Sequence, residues 1–488
     1  MGWLKNRQHM AVMFSRIKVL VAWLSPIFLI GTIFVTMMCS RLLPLWHPIA
    51  DEIEYLGYAY TLAHEGTYAQ RTAGPQADTT PGREPLYPAL LAVLFKLDPR
   101  LHVLTREDIF SGAPQAVEAF AVIRYLNALL LALTALITGA TIRKLSAGWA
   151  AAGIGMFYLL MNLQANKDLT HVISDYLAMT LSSILGLAFI SVLKRPNVRN
   201  HALCAFVLAL LCLTKTIFVL LVPIILAPYC IAAIVHKNGK LLLLMSLMAL
   251  VIALVLGGWA MRNGQRYGVY ALSDQRSAIV LSTREALNHM TAAEYWTSFI
   301  IWTRGFGDDL AKKYIAPVHW RRFDNEAEDG FYIQGQFTNV TQRIGQLKKS
   351  GLTQREADAR LSGIVIEEIL RHFPRYLATM LPVFYRGLWS DEFVIFGFPA
   401  FVYIVIVSFR RRDYVVLAGM IVPLASLMFY TAFSLNVPRY QYTAIPGFAL
   451  AAGLVLQRLL DKKCGVLSTA LHAVMNWQSY HKAPRFPH

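Results

Sequence analysis

Long apolar runs alternate with shorter polar segments along this chain, and the runs have the length of membrane crossings. Residues 19–38, 117–142, 149–163, 172–193, 241–260, 393–409, Tyr414–Phe433 and about 442–456 each predict one helix, because a hydrocarbon core takes about 20 apolar residues. The run 201–235 is too long for one crossing at about 1.5 Å per residue and short for two. Charge placement decides it. Two crossings, bent near Lys215 and Pro223, put Arg143-Lys144, Lys194-Arg195-Arg199, Lys237-Lys240, Arg410-Arg411-Arg412 and Lys462-Lys463 on the side of Lys5, Arg7 and Arg16, as the positive-inside bias requires. The pattern therefore predicts an all-α polytopic membrane protein of about ten transmembrane helices with both termini cytoplasmic.

The same topology gathers four polar segments on the non-cytoplasmic face: an island at 48–88, a loop at 162–171, a long stretch at 262–374 and a tight loop at 436–439. Within the island, Ile53, Leu56, Tyr60 and Ala63 give a helical pattern that stops at Gly66. The apolar run 89–95 is too short to span and is expected at the outer interface. In the long stretch, Thr353-Gln354-Arg355-Glu356 forms a capping-box pattern, and Leu361, Val365, Ile369 and Phe373 predict one apolar side of a helix that stops at Pro374. Residues 375–389 read as interfacial, since a span there would reverse the charge pattern after it. Four regions follow: an N-terminal transmembrane module at 1–260 with its first outer loop at 41–96, an outer-face loop region with an interfacial helix at 261–392, C-terminal transmembrane helices at 393–460, and a cytoplasmic tail at 461–488.

Composition supports this class. The chain has 488 residues, 56% of them hydrophobic and 15% charged, against about 25% charged in soluble domains. Residues 19–38 exceed the apolar core of about 7–15 residues typical of a signal peptide, and Arg41, Leu42 and Leu43 follow in place of a small-residue cleavage site, so a retained helix is expected. The formal charge of +17 collects at helix ends, which sets orientation and implies no nucleic-acid partner. Cys39, Cys204, Cys212, Cys230 and Cys464 have no metal-ligand spacing, so neither a disulfide framework nor a zinc site is expected.

Several polar residues have two readings each. Asp51 with Glu54 resembles a capping box, and a carboxylate at a helix start can also accept a proton from an incoming hydroxyl; Glu52 is its neighbour. Arg83 either snorkels to lipid headgroups or binds a lipid-linked phosphate in bidentate fashion. Lys215, at the bend of an apolar run, needs a partner if buried. Arg262, Arg386 and Arg439 are each interface anchors alone and a basic pocket together. Asp168 next to Lys167 reads as a solvated ion pair, and Asp175 as either a helix start or a costly intramembrane charge. His171 with scattered acids is a weak metal signal, leaving a divalent metal possible and no cofactor assigned.

These residues resemble a known family. The Asp51-Glu52 pair after the first span, the run Tyr55 to Leu62 ending near Gly66, and R-E-P-L-Y-P-A-L at 83–90 look like the first outer loop of GT-C membrane glycosyltransferases. The likeness is to the branch of protein O-mannosyltransferases and lipid A aminoarabinose transferase, and it extends over about residues 19–460 through Leu213-Thr214-Lys215, Trp259 with Arg262-Asn263, and Pro438-Arg439-Tyr440 to Pro446. The resemblance implies a GT-C-like fold with outer-face juxtamembrane helices, in a multi-pass cell-membrane protein, with a bacterial inner membrane expected. It also implies a sugar moved from a polyprenyl-phosphate donor to a lipid, glycan or protein acceptor on the outer face. Asp51 would be the catalytic base beside Glu52, with Asp168 as a second-loop acid. Arg83, Lys215, Arg262 and Arg439 would hold the donor phosphate, and Arg386, a cation expected on the same face, is a further candidate for that site. A transporter or flippase for a lipid-linked sugar or other anionic lipid is the alternative; it predicts mid-membrane charges and repeat symmetry, whereas here the charges fall mostly at span ends and no internal repeat is evident.

Overall fold

The computed structural model describes residues 43, 46–69, 81–146, 148–274, 277–390, 392–459 and 461. The predicted first span at 19–38, with Cys39, Cys464 and nearly all of the 461–488 tail, lies outside them. Every regular element among the described residues is helical. The principal helices are α1 (Asp51–Glu65), α2 (Leu86–Leu97), α3 (Ala121–Ser146), α4 (Trp149–Leu160), α5 (Asp175–Lys194), α6 (Val198–Cys212), α7 (Leu221–Val235) and α8 (Gly239–Tyr267). They continue with α9 (Ser277–Ala286), α10 (Ala292–Ile301), α11 (Asn339–Lys349), α12 (Gln354–Arg371), α13 (Phe373–Leu388), α14 (Val394–Arg410), α15 (Tyr414–Phe433) and α16 (residues 445–459).

Among the described residues, five stretches are long and apolar enough to cross a membrane: Pro114–Leu145, Asp175–Lys194, Thr216–Val235, Gly239–Tyr267 and Tyr414–Phe433. Helices α2, α4, α6 and α14 are apolar but shorter. The protein is thus an all-α, membrane-embedded chain. Helix α4 ends at Leu160 rather than at 163, because Asn162 caps a separate turn by accepting the Ala165 N–H at 2.8 Å. The long apolar run breaks where the charge pattern requires: α6 closes at Cys212, Lys215 is extended, and a new helical stretch starts at Thr216.

Helix α5 is the axis of the bundle. It packs against α3, α6, α15 and the turn at Pro438–Ala444, and Tyr176, Ala178, Met179, Leu185 and Ile190 on it are fully buried. Helices α7 and α8, by contrast, leave Ile231, Leu243 and Leu254 uncovered, an outward surface suited to lipid rather than water. Lys194 Nζ donates to the Lys144 carbonyl at 2.6 Å, which places the C-terminal ends of α5 and α3 side by side.

Residues 277–380 build a second core. Ala278 of α9, Val340 and Ile344 of α11, and Ala357, Leu361, Val365 and Ile369 of α12 pack together. The Thr353 capping box forms, with its hydroxyl oxygen accepting the Glu356 N–H at 3.3 Å. Helix α12 stops at Arg371, and Pro374 opens α13 rather than only ending α12. Phe373 consequently leaves the apolar side predicted for it and is exposed.

Arg284 fastens this outer lobe to the bundle. It is fully buried, donating to the Thr431 carbonyl at 3.2 Å, the Tyr376 carbonyl at 3.0 Å, Asn288 Oδ1 at 3.0 Å and Thr379 Oγ1 at 3.2 Å. Its partners are neutral oxygens and its charge is desolvated, so burial pulls its pKa down to about 10. Replacing Arg284 by Ala strands these acceptors and is expected to cost about 2–4 kcal/mol. A thermal melt of the purified protein in detergent should show the loss, with Arg284→Lys recovering only part because one ammonium cannot reproduce the fork.

Candidate functional site

Helix α1 begins at the polar island, but not through the predicted capping box. Ala50 is the N-cap, at φ 44°, and it has no side chain with which to cap. Asp51 is the first helical residue, and Asp51 and Glu54, one turn apart, converge on Arg83. Arg83 Nη2 pairs with Asp51 Oδ1, and Arg83 Nε with Glu54 Oε2 at 2.5 Å. The guanidinium also lies 4.8 Å from the Tyr55 ring centroid. Gly66, at φ 65°, closes the helix as expected and lets the chain return. The returning chain fixes Arg83: Tyr68 Oη donates to the Arg83 carbonyl at 3.0 Å, and the Gly82 N–H donates to Tyr58 Oη at 2.9 Å. Arg83 is therefore a buried, doubly paired cation rather than a snorkelling one.

Desolvation raises the Asp51 pKa, but the charges of Arg83, Arg439 and Lys215 outweigh it, so the carboxyl titrates below its ordinary value. Glu54 goes the other way, because burial outweighs Arg83 and the nearby Asp51 charge adds to it. The Asp51–Arg83 pairing is accordingly present at neutral pH and is lost only as pH falls through the depressed Asp51 value.

The bend at Lys215 meets the same island. Glu84 Oε1 accepts from the Thr216 N–H at 3.0 Å and from Thr216 Oγ1 at 2.6 Å, and the Leu86 N–H donates to the Leu213 carbonyl at 3.1 Å. Lys215 Nζ reaches Asp175 Oδ1 at 2.9 Å, both side chains being largely buried. Asp175 is thus both the first residue of α5 and the partner that the buried ammonium needs.

Glu52 and Asp168 occupy different surroundings from Asp51. Glu52 accepts from Trp46 Nε1 at 2.7 Å and from the Ile49 N–H at 3.2 Å, and lies 2.7 Å from His171 Nδ1. Asp168 forms no pair with Lys167. It is buried, accepting from Tyr442 Oη at 2.6 Å and from Gln164 Nε2 at 2.7 Å. Both acids are fixed at the cavity wall by hydrogen bonds, and Tyr442 and Gln164 were not singled out from the sequence. Tyr442 belongs to the Pro438-to-Pro446 segment that carries the resemblance, so a signal was present. Gln164 gave none.

Arg439 follows a rigid turn. Asn436, at φ 51°, donates through Nδ2 to the Val383 carbonyl at 2.9 Å and accepts from Gln441 Nε2 at 2.7 Å. A Cβ on Gly387 would come within 2.2 Å of the Asn436 amide, so α13 carries glycine there. From this turn Arg439 Nη2 reaches Asp51 Oδ2 at 3.4 Å. Arg386, on α13, has Trp302 at 5.0 Å from its guanidinium and a long 3.4 Å contact to the Leu435 carbonyl. Arg262 is elsewhere. It donates to the Tyr68 carbonyl at 3.1 Å and Asn263 Oδ1 at 2.9 Å among Trp259, Tyr68 and Tyr267, and it does not line the cavity shared by the others.

That cavity has a volume of about 1360 Å³ and draws on all four polar segments. Asp51, Arg83, Asp168, Asp175, Lys215, Arg386 and Arg439 line it, together with Trp302, Phe323 and Tyr332 from the long stretch. It is not the plain basic pocket expected from the cations alone, since more carboxylates than cations line it and most of the cations are paired. No group of three or more His, Cys, Asp or Glu side chains able to hold a metal ion occurs among the described residues.

The fold and cavity define a polytopic helical membrane protein with a half-open, ion-paired polar site. Two solved structures are similar to the chain: ArnT from Cupriavidus metallidurans bound to undecaprenyl phosphate, at 16% identity and a TM-score of 0.38, and the same organism's ArnT in the apo state, at 15% identity and 0.34. Each alignment covers 90% of this chain and 78% of the other. At these values the likeness assigns neither a residue nor an activity. No protein-family model and no curated protein matches the chain.

The Lys215–Asp175 pair makes a direct prediction. Lys215→Met leaves a buried carboxylate unpaired and is expected to destabilise the protein by about 3–5 kcal/mol. Adding Asp175→Asn should recover most of that loss, as read from thermal melts of the two variants in the same detergent.

Proposed function

We propose that the protein is a GT-C-type glycosyltransferase that moves a sugar from a polyprenyl-phosphate donor to an acceptor on the non-cytoplasmic face of the membrane. One observation carries this reading: an ionised carboxylate, Asp51, shares a cavity with Arg83, Lys215 and Arg439, so a base and phosphate-binding cations occur together at helix ends. The motif resemblance of the island, the bend and the final turn supports it. Charges that fall mostly at helix ends also favour an enzyme over a transporter.

In the reaction, an acceptor hydroxyl or amine attacks the anomeric carbon as the bond from that carbon to the phosphate oxygen breaks. Asp51 takes the acceptor proton, the lipid phosphate leaves with the bonding electron pair, and one displacement inverts the configuration. Arg83, Lys215 and Arg439 stabilise the charge that grows on the leaving phosphate. Glu52 and Asp168 are positioning residues, Glu52 holding Trp46 and His171 at the rim and Asp168 holding Tyr442.

Pairing with Arg83 and Arg439 makes Asp51 a weak base, and the long Arg439 contact is the one most easily surrendered. A donor phosphate that draws Arg439 toward itself raises the basicity of Asp51 only once the donor is bound. Two expected results follow. With purified protein and a polyprenyl-phosphate sugar, Asp51→Asn should lower transfer about 10²- to 10⁴-fold; full activity in the variant would remove Asp51 as base, and lipid translocation without glycosidic product would favour the transporter. The acid limb of kcat/KM, a property of the free enzyme, should fall below the ordinary carboxylate value of 3.8, whereas that of kcat should lie higher.

A further inference from the structure

The cations of the cavity are not equivalent. Arg83 is held by Asp51 and Glu54, Lys215 by Asp175, Arg439 by Asp51 and Arg304 by Glu392. Arg386 has no carboxylate within 4.0 Å among the described residues, and its one hydrogen bond is the long contact to Leu435. Lys312, the other cavity cation without a carboxylate partner, is exposed to water. Arg386 instead stands at the edge of a small apolar cluster formed by Leu287, Met290, Phe331, Val383 and Leu435, with Trp302 and Tyr332 packed against it. A guanidinium kept in such surroundings without a counter-ion is costly, and burial pulls its pKa down to about 10. Arg284 has similar chemistry but a different use, because its fork is filled by four protein oxygens and it does not line the cavity. The fork of Arg386 is largely unfilled and borders open volume.

We propose that Arg386, walled by Trp302 and Tyr332, is an anion-binding subsite of the cavity, separate from the ion-paired network around Asp51, that takes a phosphate or carboxylate group of a substrate. The planar fork suits a two-oxygen anion, and the neighbouring rings suit the body that carries it. Asp51 pairs with Arg83 and Arg439 and not with Arg386, so an anion can fill this subsite without competing for those two arginines. The group can belong to the lipid-linked phosphate or to a second, soluble-headed substrate. Binding can be read without any transfer step, so the proposal stands apart from sugar transfer.

The test uses the full-length protein in lipid nanodiscs and follows binding by calorimetry and by tryptophan fluorescence, since Trp302 borders the subsite. Three probes are used: undecaprenyl phosphate, N-acetylglucosamine phosphate, and neutral N-acetylglucosamine. Arg386→Gln is expected to weaken at least one phosphate probe about 10- to 100-fold while leaving any affinity for the neutral sugar within about twofold, and Arg386→Lys should recover part of it. Loss confined to the lipid assigns the subsite to the lipid-linked phosphate; loss confined to the sugar phosphate assigns it to a second substrate. Melting provides the second readout. Removing an unpaired charge should leave Tm unchanged or higher, whereas a merely structural Arg386 predicts a lower Tm. Unchanged affinity for both phosphates, or equal loss for the neutral sugar, would overturn the proposal.

Discussion

A cation held out of water needs an anion, and around this cavity that requirement fixes where helices start and stop. Arg83 draws Asp51 and Glu54 to one side of α1. Lys215 holds the broken helix between α6 and α7 against the first turn of α5 through Asp175. The polar island, the bend and the final turn are far apart in the chain; the Arg439–Asp51 ion pair joins the turn to the island, and hydrogen bonds from Thr216 to Glu84 join the bend to it. The membrane helices supply the rest of the stability through apolar packing around α5.

Much of this was legible in the sequence because the signals are periodic or costly. Apolar run length placed the spans, with Tyr414–Phe433 matching its helix end to end. The charge bias placed the break near Lys215, and Gly66 and the Thr353 box marked helix termini that formed as expected. What failed were readings that depend on long-range partners. A capping box at Asp51 is a sound local inference, but Arg83, distant in sequence, competes for both carboxylates and wins. Asp168 next to Lys167 looks like a surface pair until Tyr442, from the last turn, removes it from water. Arg262 looks like one more basic residue of the pocket, yet Tyr68 and Trp259 hold it away from the cavity. Arg284 carried no sequence signal, because a fully buried arginine and a surface one are spelled alike.

Three chemically different carboxylates therefore share one wall. Asp51 is ionised and held by exchangeable arginine contacts, Glu52 is bound to an indole and an imidazole, and Asp168 is bound to a phenol and an amide. Only the first is held by groups that a phosphate can draw away. That difference in partners, more than burial, sets Asp51, the proposed base, apart from Glu52 and Asp168.

Sugar transfer through Asp51, as proposed, is tested most directly by mass spectrometry of cell-envelope glycans and glycolipids from cells with and without the protein. Loss of one sugar-sized mass in its absence, restored by the wild-type chain and not by an equally abundant Asp51→Asn chain, is the predicted result. An unchanged envelope profile, or full restoration by Asp51→Asn, would contradict it.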